Sequence, residues 1–75
     1  MEASLNRASY LQYLEDTYRG KIVSFVSPHT HKILYGKVND INCEVDDDDF
    51  RIIIFLGLYR YECTRSYFEK NITIL

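Results

Sequence analysis

The sequence predicts an α+β domain that is mostly β. An N-terminal amphipathic helix precedes a five-stranded, strongly bent antiparallel sheet of small-barrel type, with a short helical turn before the last strand. Three observations carry this. Apolar residues first recur at three- and four-residue steps, then switch after Gly20 to runs rich in β-branched and aromatic residues. Turn-forming residues punctuate those runs at short intervals. At 75 residues the chain holds one domain, whose short antiparallel strands resolve their open edges most simply by curling.

Residues 4–18 form the helical stretch. Leu5, Ala8, Leu11, Leu14 and Tyr18 make its stripe, Tyr10 and Tyr13 widen it, Ser4 is a fitting N-cap, and Arg19-Gly20 a fitting stop. Lys21 to Ser27 is the first strand, closed by the turn Ser27-Pro28-His29-Thr30-His31. Its apolar residues fall on both parities, so its inward face is not determined. Lys32 to Asn39 is the second strand, with a bulge or bend expected at Gly36. The alternation of Ile41, Cys43 and Val45 allows it to continue further. Asp46 to Asp49 cannot lie inside a sheet and marks a solvated hairpin tip.

Phe50 to Leu56 is the most hydrophobic strand, apolar on both faces. One face holds Phe50, Ile52, Ile54 and Leu56, the other Ile53 and Phe55. A sheet with one wet face would alternate, so the outer face calls for cover, by the N-terminal helix or by a second copy in a homodimer. Gly57 turns the chain into Leu58 to Cys63, where Tyr59, Tyr61 and Cys63 share a face. Ser66-Tyr67-Phe68-Glu69 fits a capping box and places the helical turn, and Asn71 to Leu75 is the last strand.

Residues 20–75 resemble the SH3-like small barrels of Tudor and KOW type. The matching parts are Gly20-Lys21-Ile22-Val23, Tyr35-Gly36-Lys37-Val38 and the turn Ser66 to Phe68 before a terminal strand. With residues 1–19 as the helix and residues 20–75 as the barrel, the chain is expected to form a single domain. There is no tryptophan and no ALYDY-type motif, so the resemblance implies no proline-peptide site.

Charge is segregated behind a net value of −2. Residues 21–39 contain three lysines and no acid, and the next ten residues contain six acids and no base. That layout, with seven Tyr and four Phe, points to binding. The surfaces expected to bind a protein partner or a second copy are the Tyr35, Tyr59 and Tyr61 strand face and the acidic loop Asp46, Asp47, Asp48 and Asp49. The alternative is a nucleic-acid surface in which Lys32, Lys37, Arg51, Arg60 and Arg65 meet phosphates and the tyrosines stack on bases.

No nucleophile elbow, phosphate-cradling glycine loop or paired-carboxylate arrangement stands in the sequence, so neither catalysis nor a small-molecule substrate is expected. His29-Thr30-His31 lacks a second pair of close-spaced ligands, and the aspartate run lacks EF-hand spacing, so no metal and no cofactor is expected. The opening residues resemble no signal peptide, and no apolar run is long enough to span a bilayer. A cytoplasmic chain with Cys43 and Cys63 as free, buried thiols is the corresponding expectation.

Overall fold

A computed structural model describes residues 6–75. The elements are α1 (Arg7–Tyr18), β1 (Ile22–Val26), β2 (Ile33–Asp46), β3 (Asp49–Leu56), β4 (Tyr59–Thr64), α2 (Arg65–Asn71) and β5 (Ile72–Ile74). All neighbouring strands are antiparallel, in the order β4-β3-β2-β1-β5. Among the described residues no helix is long and apolar enough to cross a membrane.

The bend lies in β2, which serves both halves of the sheet. Residues 33–37 pair with β1, residues 38–46 pair with β3, and the register slips between Val38 and Asp40. The irregularity therefore falls at Asn39 and not at Gly36, which sits in the regular ladder opposite Val23. Asn39 has what the position uses: its side-chain amide donates to the Gly57 carbonyl at 2.9 Å, tying the bend to the next hairpin.

The first strand points Val23 and Phe25 inward and leaves Ile22 exposed, which settles its parity. Both join Val38, Ile41, Cys43, Phe50, Ile52, Ile54, Leu56, Cys63, Leu14 and Phe68 in one core cluster. α1 lies on this inner side. Leu14 is fully buried, Tyr10 stacks on Phe50 with ring centroids 4.6 Å apart, and Tyr18 meets Phe68 edge-on at 5.1 Å. The helix thus leaves the outer apolar face of β3 alone. Ile53 is buried outside the cluster, flanked in the ladder by Asn42 and Glu62, and Phe55 lies between Asp40 and Arg60. The neighbours of that face within the sheet are thus polar or charged.

The ends of the helices follow side-chain chemistry. The expected start at Ser4 and Leu5 lies outside the described residues; within them, Asn6 caps α1 by accepting from the Ser9 N–H at 3.0 Å. α2 starts earlier than the capping-box spacing implies. Thr64, not Ser66, is its N-cap and accepts from the Tyr67 N–H at 3.2 Å. Cys43 and Cys63 are buried free thiols, both opposite Ile52 in adjacent ladders. Two strand spacings, about 10 Å, separate them, too far for a disulfide.

Candidate binding groove

Bending β2 at Asn39 brings its first half alongside the β3–β4 hairpin, and a groove of about 390 Å³ opens between them. Tyr61 forms part of its floor, half-buried and edge-on to Phe25 at 5.9 Å. Tyr35 and Tyr59 line the groove at 70% and 68% exposure, and Leu34 and Leu56 add to its apolar lining. Gly36 opens the groove further, since a side chain there would meet nothing within 4 Å. Lys37 and Asn39 are the polar lining groups, and Leu58, 99% exposed, stands at the hairpin tip.

The hairpin geometry explains the position of Leu58. Gly57 has a φ of 60°, the conformation a two-residue loop between antiparallel strands asks of its first residue. Leu58 then occupies the second loop position, where no strand neighbour can cover it. The sequence signal for it is an apolar residue in a two-residue turn, which is a place for polar side chains.

The three tyrosines therefore line one groove, Tyr59 and Tyr61 through strand alternation and Tyr35 from the first half of β2. Phe50 lies elsewhere, stacked on Tyr10 at the opposite end of β3. The acidic tip lies at that far end too, on the order of 20 Å along the strand from the groove. Its members are partly engaged within the chain. Asp46 approaches Arg51 at 3.9 Å, and Asp49 pairs with Arg65 at 2.8 Å while accepting from its neighbour's N–H at 2.7 Å. Asp47 and Asp48 form the exposed turn, Asp47 with a φ of 55°. Tyrosine face and acidic loop are two surfaces.

The basic residues do not converge. Arg51 and Arg60 interleave with Glu62 on the outer face at 3.5 and 3.1 Å. Arg65 lies over the Tyr10 and Phe50 rings, its guanidinium 5.8 and 5.9 Å from their centroids. Lys32 ends the β1–β2 turn and Lys37 lines the groove. Three of the five cations thus face carboxylates, which compete with any phosphate.

Other reactive groups are held quiet. His29 and His31 are exposed on a turn whose N–H groups bond to Ser27, and among the described residues no three His, Cys, Asp or Glu side chains gather to hold a metal. Burial raises the Cys43 thiol and pushes Cys63 up to about 11, the opposite of nucleophile activation. The Tyr10 hydroxyl is buried with no hydrogen-bond partner among the described residues, and that burial, helped by Glu69, holds its pKa well above the ordinary range. No family model, curated protein or solved structure matches the chain.

Proposed function

We propose that the chain is a non-enzymatic binding module of SH3-like small-barrel type whose groove takes a short apolar segment of a protein partner in the cytoplasm. The observation that carries this is the convergence of Tyr35, Tyr59 and Tyr61 on one groove beside the fully exposed Leu58. Tyrosine offers large contact area at low entropic cost with a hydroxyl for orientation, and Leu58 joins the tyrosines, Leu34 and Leu56 in one contiguous apolar lining, the kind of surface that marks an interaction site. The strand order and the helix between β4 and β5 support the small-barrel part of the reading. The paired arginines favour a protein over a nucleic acid. Asp47 and Asp48, at the far end, form a separate contact for a basic partner.

Selection from a random peptide library tests it. Peptides are enriched on the wild-type chain and depleted on a Leu58→Asp/Tyr59→Ser variant, and the survivors are titrated into ¹⁵N-labelled protein. The expected result is binding at about micromolar Kd, with shifts clustered on Tyr35, Lys37, Leu58, Tyr59 and Tyr61. If no peptide distinguishes the two proteins, or if oligonucleotides shift Lys32, Arg51 and Arg60 instead, the groove is not the binding site.

A further inference from the structure

The groove is bounded by β4, and β4 is a sheet edge. Its loop closes on the pair Leu56–Tyr59, and hydrogen-bonded and non-hydrogen-bonded pairs alternate from there. Tyr59, Tyr61 and Cys63 therefore direct their backbone groups to β3, while Arg60 and Glu62 direct theirs outward. Among the described residues no turn, cap or side chain bonds to the backbone of either.

We infer that β4 is an interface for a second copy of this chain, the two β4 strands pairing antiparallel about a twofold axis at Tyr61. This deepens the protein-binding reading by naming the partner at the groove's border, and it rests on that reading. The argument is register and charge. Centred on Tyr61, the pairing sets Arg60 opposite the second copy's Glu62 and Glu62 opposite its Arg60. Those are the residues with outward N–H and C=O groups, so each pair makes both ladder hydrogen bonds and a cross-strand ion pair.

Within one chain Arg60 and Glu62 already lie 3.1 Å apart on the outer face, so both charges stand beside the edge where the second strand would lie. Moving the axis to Arg60 or to Glu62 sets two like charges face to face, which disfavours both neighbouring registers. The pairing also places two Tyr61 rings side by side, so the two grooves meet at the axis. Strand addition at an open edge is a common recognition mode, and here the edge complements itself.

Sedimentation of the wild-type chain from micromolar to millimolar concentration, with two charge variants, tests this. The wild type is expected to approach dimer mass. Arg60→Glu alone and Glu62→Arg alone should each weaken association by about tenfold, because each puts like charges opposite. An equimolar mixture of the two variants should recover it, since their charges complement each other. Because Glu62→Arg also faces Arg51, amide exchange on the unmodified chain is the second measurement. The Arg60 and Glu62 N–H groups should gain protection as concentration rises. A wild type that stays monomeric with those amides unprotected overturns the pairing and leaves the groove to be judged by peptide selection. A dimer indifferent to Arg60→Glu overturns it as well. So does a head-to-tail ring or polymer, which would join β4 to β5.

Discussion

The half-sheet β2-β3-β4 has two edges, and the chain treats them differently. Along β2 from Asp40 onward, every outward group that has a partner finds it in a side chain. Asp40 accepts from the Ile41 N–H at 2.9 Å, Asn42 accepts from the Cys43 N–H at 2.8 Å, and Arg7 from α1 donates to the Cys43 carbonyl at 2.7 Å and to Asn42 at 2.8 Å. Side chains from the strand itself and from the helix occupy the ladder positions a foreign strand would need. Along β4 the outward groups of Arg60 and Glu62 have no such cover among the described residues, and an apolar groove adjoins them. The same fold covers the β2 edge at Ile41 and Cys43 and leaves Arg60 and Glu62 on β4 without such bonds. Tyr59 and Tyr61 lie on that second edge.

The strongest way to break this contrast is to loosen α1. Leu14→Ala removes a fully buried side chain and is expected to cost about 2–5 kcal/mol in chemical denaturation, with β2 exposed to aggregation as the helix leaves. Arg7→Ala removes the plug directly. It should cost about 1–2 kcal/mol through the uncovered Cys43 carbonyl, and Cys43 amide exchange should quicken as Asn42 loses its second partner.

On the open side, Gly57→Ala strains a positive φ at the tip that presents Leu58, and about 1 kcal/mol or more of stability should be lost. Tyr10→Phe deletes a buried hydroxyl without a partner, so thermal denaturation should show no loss or a gain of up to about 1 kcal/mol. Arg60→Ala touches only an exposed ion pair, and its effect on monomer stability should be below about 0.5 kcal/mol.

The two edges also share a dependence on pH. Cys43 and Cys63 both have thiol pKa values raised by burial, Cys63 to about 11 against an ordinary 9.0. A group whose folded pKa is raised contributes its full stability below the unfolded value and loses it as pH rises through the folded one. Stability should therefore decline from about pH 9 towards 11, as Tyr10, Tyr18 and Tyr67, raised in the same direction, add to the decline. Ellman's reagent should label neither thiol quickly at pH 8.

The element types and order were legible because the hydrophobic period changes at Gly20, turn residues separate the first four strands, and the alternation breaks again before the last one. Tyr59 and Tyr61 were legible as one face because strand parity requires it. What the sequence hid depends on pairing. The bend sits at Asn39 and not Gly36 because the deciding contact is a side-chain bond to Gly57, eighteen residues away. The cap of α2 is Thr64 and not Ser66 because both hydroxyls suit the role, and the length of β4 chooses between them. That Tyr35 joins the other tyrosines while Phe50 does not follows from how β2 bends, which no local pattern encodes.

The most direct test of the contrast between the edges is amide exchange on a dilute sample, read residue by residue. Slow exchange at Ile41 and Cys43 with fast exchange at Arg60 and Glu62 is the predicted result. Arg60 and Glu62 amides as slow as that of Ile41 in dilute solution would contradict it, because β4 would then already be covered within the single chain.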